Sequence, residues 1–272
     1  MKKVLQRSVP APSVPSLDAS VTTLPNGLEV IVREDHAHPL VSVQVWIKAG
    51  SMHEEQHTGA GIAHCVEHML FKGTEKRDPA QISQGIQALG GYVNAYTSFN
   101  RTVYWIDGLA EHADGYLDIL ADMIRHSKFD ADELAREKDV IRREMAMGHD
   151  DPGDTIQHLM QATAFRQHPL RHPIIGHREV FDQITRADVV GFVQRHYVPN
   201  NAFIVITGDV DATAILETVR SHFGDWKRRA FDPVQLPDEP RQQGCRFAAK
   251  NFATELTRIA LGWQIPGESH SD

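Results

Sequence analysis

The sequence is short of the features that would assign it to several large classes of protein. It has 2 cysteines in 272 residues, Cys65 and Cys245. That is too few for a disulfide framework, so nothing here points to an oxidising compartment. No run approaches the about 18 apolar residues that suggest a membrane span, so no membrane partner is expected. Lys and Arg total 28 against 36 Asp and Glu, a net charge of −8. The basic residues form no stripe, which argues against nucleic acid as a partner. The N-terminus "MKKVLQRSVPAPSVPSLDAS" opens on two lysines like a secretory leader. Pro and Ser follow in place of an apolar stretch, so no signal peptide is read there. The expectation is a cytoplasmic protein with a loose arm over residues 1–20.

What the chain does have is the composition of a globular protein, 41% hydrophobic and 24% charged, together with 16 histidines. "VTTLPNGLEVIVRED" alternates around Pro25-Asn26-Gly27 and predicts a hairpin. "LVSVQVWIKAGS" (40–51) predicts a strand. Thr58 is the expected cap of a helix over 59–71, ended by Gly73. Asp78-Pro79 opens a second helix that Gly90-Gly91 stops. "YVNAYTSFNRTVYWIDG" predicts two strands about a turn near 98–101. Helices follow over 110–127, 131–147, 154–166 and 186–196, then a buried strand over 202–210 and a helix that Asp211 caps.

Strands and helices come in blocks, which predicts an α+β fold: a mostly antiparallel sheet covered by helices. The expected folded unit is 21–224. A linker is read over 225–245 from Pro233, Pro237 and Pro240 among charged residues. Beyond it, "TELTRIALGWQIPG" (254–267) alternates like residues 40–51. It predicts a strand at the start of a second, homologous domain over 246–272.

The chemistry concentrates in "GIAHCVEHMLFKGTEKR", residues 61–77. On a helix, His64 and His68 are four apart and share a face, so two imidazoles can chelate one metal ion. Glu67 stands beside that face, placed to reach a water without being a ligand. The order H-x-x-E-H inverts H-E-x-x-H. The motif is short, and a catalytic zinc usually takes three protein ligands, so a third is needed.

"DADELAREKDVIRREMAMGHDD" supplies one. Asp130 with Glu133 opens a helix, on which Glu137, Val140, Ile141 and Glu144 share a side. Carboxylates on an apolar side are costly unless something compensates their charge, and a dication with its histidines would do so. Glu144 is then the third ligand. Glu137, two turns back, is placed to hold a ligand histidine.

With these residues the chain resembles the inverzincin peptidases of the pitrilysin, insulin-degrading enzyme and mitochondrial-processing-peptidase family. Their H-x-x-E-H is followed about 76 positions later by a glutamate ligand, with another glutamate seven before it. Glu144 stands 76 positions after His68, and Glu137 seven before Glu144. "EHMLFKGT", "GGYVNAYTS", "HPLRHPIIG" and "YVPNNAFIVITGDVD" also resemble family segments, in family order. The likeness spans about 20–230, with 246–272 similar to the start of the family's second half.

The resemblance implies one half of a duplicated two-domain zinc endopeptidase. Zn²⁺ would be held by His64, His68 and Glu144, with Glu67 as general base and Glu137 in support. It implies that Asn94, Ala95 and Tyr96 form an edge strand pairing with extended peptide substrate. It also implies a homologous second half, in the same protein or as a separate chain, for full activity.

Five competing readings stand beside these. Cys65 could be a fourth ligand, but it sits about 100° from His64 around the helix, so a buried apolar role is expected. His168, His172 and His177 suggest a second metal cluster, against which two prolines and irregular spacing argue for a loop. Glu137 could be a solvated surface residue. The whole chain could be a non-catalytic binding or scaffold subunit of the same family, although such members typically lose the zinc motif that is intact here. Another metal-dependent hydrolase on a related fold is the remaining rival.

Overall fold

The computed structural model describes residues 18–265 and 267, so residues 1–17 of the expected arm lie outside it. The predicted hairpin forms between β1 (Ser20–Thr23) and β2 (Glu29–Glu34), antiparallel. Gly27 takes a φ of +88°, which only glycine adopts without strain. Asn26 donates to the carbonyls of Phe223 and Trp226 at 2.8 and 3.1 Å, tying this turn to a segment far along the chain.

In β3 (Leu40–Ile47) the alternation sends Val41, Val43, Val45 and Ile47 inward and leaves Ser42, Gln44 and Trp46 half-buried. Each such buried aliphatic side chain contributes about 1.5–3 kcal/mol. The second predicted pair is β4 (Tyr92–Thr97) and β5 (Thr102–Leu109), and the last strand is β6 (Ala202–Gly208). The six strands run in the order β1-β2-β6-β3-β5-β4. All neighbours are antiparallel except β2 and β6. The mostly antiparallel expectation therefore holds, and β4 is an edge.

The helices are α1 (Ile62–Met69), α2 (Pro79–Ala88), α3 (Ala113–His126), α4 (Ala131–Asp150), α5 (Pro152–Ala164), α6 (Arg178–Phe181), α7 (Arg186–His196) and α8 (Ala212–Phe223). Asp78, Asp130 and Asp211 cap α2, α4 and α8 through backbone N–H groups, as their sequence positions predict. α3 lies over β3 and β5, and α8 over β2. Tyr116, Leu117 and Leu120 of α3 join Val43, Val45 and Ile106 in one core. α1 is wedged among α4, α7 and β4, so the helix carrying the histidines touches both the second carboxylate-bearing helix and the sheet's edge.

Two expectations are corrected. Thr58 does not cap α1: its hydroxyl donates to the Glu55 carbonyl at 2.5 Å, and the helix begins three residues later than read, behind Gly61. The N-terminal N–H groups are instead met from a distance. The buried carboxyl of Glu54 accepts from Gly61 N–H at 3.0 Å and from Ala63 N–H at 3.1 Å. Gly61 has a φ of +74°, and a Cβ there would sit 2.1 Å from the carbonyl oxygen of Ile175.

The strand expected over 254–267 does not form. Its described residues are irregular, and Leu256, Ile259, Leu261 and Trp263 stand 70% or more exposed. An amphipathic strand gains its stability from a partner strand and a covered face, and neither meets this segment among the described residues. The stretch read as a linker is irregular too, yet it is pinned. Glu239 accepts from the N–H groups of Arg166, Gln167 and His168 at 2.8, 2.9 and 3.1 Å.

Candidate metal centre

His64 and His68 project from the same side of α1 as their spacing requires, with ring centroids 4.6 Å apart. α4 crosses opposite them and presents Glu144, whose Oε2 lies 4.0 Å from His64 Nε2 and 3.5 Å from His68 Nε2. One donor atom from each of the three lies within 4.8 Å of the others. Among the described residues no other His, Cys, Asp or Glu group gathers in this way. Burial, reinforced by the neighbouring His68, pushes His64 down to about 3, so its ring is neutral and its nitrogen lone pair free. His64 Nδ1 is buried without a partner. Such an orphaned buried nitrogen marks a place whose polar environment is incomplete.

Glu137 lies one step behind. Its Oε2 is 3.0 Å from His68 Nδ1, which fixes that ring and leaves Nε2 facing Glu144. Glu137 is 5% exposed, which rules out the solvated reading. Its other oxygen is met by Lys72 Nζ at 2.6 Å. Sequence reasoning assigned compensation of this buried charge to a metal and its histidines alone. Lys72, one turn after His68 on the approach to Gly73, was missed, although a lysine four residues beyond a ligand histidine is itself a legible signal.

Glu67 sits on α1 between the histidines and the sheet. Burial raises its carboxyl above the usual range, against the Thr97 hydroxyl, which donates to Oε2 at 2.5 Å. Thr97 is the last residue of β4, and it too escaped the sequence reading. Asn94, Ala95 and Tyr96 lie on this edge strand, paired with Trp105, Tyr104 and Val103 of β5. The Asn94 side chain is exposed, and its oxygen accepts the Ala95 N–H at 2.9 Å.

Cys65 is fully buried on another side of α1, and burial pushes its thiol up to about 12. It packs as an apolar residue. The other histidines do not converge either. His168 Nδ1 accepts the Leu170 N–H at 3.2 Å, while His172 and His177 meet each other at 3.0 Å.

A mostly antiparallel sheet covered by helices, with two histidines on one helix opposite a glutamate on another, is an α+β domain with a candidate metal site. Residues 29–178 match the family described as insulinase, peptidase family M16, and residues 183–272 match the peptidase M16 inactive domain. The chain belongs to this M16 family. The two matched segments share one sheet, since β6 from the second lies between strands of the first.

An uncharacterised zinc protease of Mycobacterium tuberculosis is 34% identical over 97% of this chain and 60% of its own length. A probable mitochondrial-processing peptidase subunit beta of Arabidopsis thaliana is 37% identical over 76% of this chain and 39% of its own. Among solved structures, a protease from Helicobacter pylori superposes with a TM-score of 0.77 at 29% identity, covering 84% of this chain and 55% of that one. The chain thus spans between about two-fifths and three-fifths of the length of these relatives.

Proposed function

We propose that this chain is the catalytic half of a zinc-dependent endopeptidase. Its substrates are extended peptides or small unfolded polypeptides, and a second homologous half is needed for full activity. The observation that carries the reading is the convergence of His64, His68 and Glu144 from two helices, with Glu67 beside them. The donor set fits the ion. Two imidazole nitrogens and a carboxylate converging from two helices are what catalytic zinc takes.

Bound there, Zn²⁺ supplies Lewis acidity to an attacking water and to the scissile carbonyl. Everything else falls to the chain. Glu137 holds the His68 ring in the tautomer that leaves Nε2 as an acceptor. Glu67 takes the proton of the attacking water and returns it to the leaving amine. The free edge of β4 at Asn94, Ala95 and Tyr96 pairs with extended substrate backbone, and Asn94 releases the Ala95 N–H to a peptide carbonyl.

The test joins metal content and turnover on the same preparations. His64→Ala, His68→Ala and Glu144→Gln are each expected to lose most bound zinc by elemental analysis. Glu67→Gln is expected to keep zinc and peptide affinity while cleavage falls about 10²–10⁴-fold. Loss of zinc from the Glu67 variant would make that residue a ligand and overturn its assignment as the base.

A further inference from the structure

We infer that Thr97 is a positioning residue for catalysis: its hydroxyl holds the Glu67 carboxylate in the orientation needed to accept a proton. The inference rests on the peptidase reading above and adds to it a residue on a different element. Oγ1 of Thr97 donates to Oε2 of Glu67 at 2.5 Å across 30 residues of sequence. That bond occupies one carboxylate oxygen and, with the Thr97 backbone N–H that also faces the carboxylate, restricts its rotation.

The donor is itself rigid. Thr97 pairs with Thr102 at the closed end of the β4–β5 hairpin. The Thr102 hydroxyl is buried and donates to the Ala49 carbonyl at 2.9 Å. The next residue, Ser98, is held on both backbone groups: its N–H donates to Arg101 O at 2.8 Å, and its carbonyl accepts Ser51 N–H at 3.1 Å. A glutamate on a helix has several staggered side-chain torsions to choose among. A hydroxyl anchored on a braced strand end selects one.

The location gives the contact its function. Thr97 ends the same edge strand that carries Asn94, Ala95 and Tyr96. A peptide aligned along β4 and the base that works on it are therefore referenced to one strand. The separation between the scissile bond and the Glu67 oxygen is then referenced to the strand as well as to the packing of α1 beside it. Misplacing a catalytic group by about 1 Å costs on the order of 10²-fold in rate. A hydroxyl that prevents such a displacement acts on turnover and not on binding.

The experiment compares Thr97→Val, which keeps shape and the backbone N–H but removes the hydroxyl donor, with Thr97→Ser, which keeps the hydroxyl. It is done in whichever form cleaves peptide, the chain alone or combined with its second half. Thr97→Val should lower kcat by about 10–100-fold with KM within about threefold and zinc content unchanged, and Thr97→Ser should stay within about threefold of the parent in kcat. Three results would overturn the inference. These are parental kcat in Thr97→Val, an equal fall in Thr97→Ser, or loss of zinc from the valine variant, each placing the role in packing or in the metal site. A parent protein that binds no zinc and cleaves nothing through Glu67 would remove the underlying peptidase reading instead. Failure of the two ideas is thus told apart by the parent alone.

Discussion

His68 on α1 and Glu137 on α4 share a 3.0 Å contact, Nδ1 to Oε2, while Lys72 closes on the other oxygen of the same carboxylate at 2.6 Å. The buried glutamate is therefore neutralised from one side and orients a ring on the other. Glu137→Gln keeps the size of the group and removes its charge. It should weaken zinc affinity or activity by about 10–100-fold without abolishing the site, as measured by competition with a chelator and by turnover. Unchanged affinity and turnover would mean that Lys72 alone determines why the carboxylate is buried there.

The carboxyl of Glu54 is pushed by burial up to about 8, against the backbone N–H groups at the start of α1 that favour its charge. In the unfolded chain the same group ionises near the ordinary value of about 4.3. The folded state thus binds the proton more tightly. The stabilisation is complete below about pH 4.5 and fades as the pH rises towards 8. The stability advantage of the parent over Glu54→Gln should therefore shrink between pH 5 and pH 8 in urea unfolding. A constant difference across that window would show that Glu54 stays ionised in the fold.

Catalysis needs the peptide held in near-attack geometry, and β4 offers one edge on which to hold it. The 272-residue chain by itself should bind zinc yet cleave peptides weakly or not at all, with activity restored by a homologous second half. The readout is turnover of the isolated chain with and without that partner. Full turnover from a purified monomer would make the chain self-sufficient.

The parts of the site legible in the sequence are those fixed by helical period. His64 and His68 share a face because they are four apart, and Glu137 and Glu144 because they are seven apart. The hairpins and the capped helices were legible for the same local reason. What could not be read was set by tertiary contact. Glu54 reaches the start of α1 from a loop seven residues upstream of Gly61, so the local search for a cap settled on Thr58. Thr97 meets Glu67 only because β4 packs beside α1. The alternation of 254–265 marks an amphipathic strand, but it carries no information on whether a partner is present to pair with it.

The place of β6 sets an order of events during synthesis. Ile204 pairs with Val30 on one side and with Val45 on the other. Until residues 202–208 have left the ribosome, β2 and β3 each present an open edge of unpaired N–H and C=O groups on a strand with an apolar face. The helices bearing His64 and Glu144 are complete well before that gap is filled, so the metal-binding face can form on a nascent chain whose sheet is still in two pieces. Such unpaired edges invite intermolecular pairing. A stall or cut just before β6 should therefore give insoluble material, whereas one just after α8 should leave a sheet with only its two natural edges, β1 and β4.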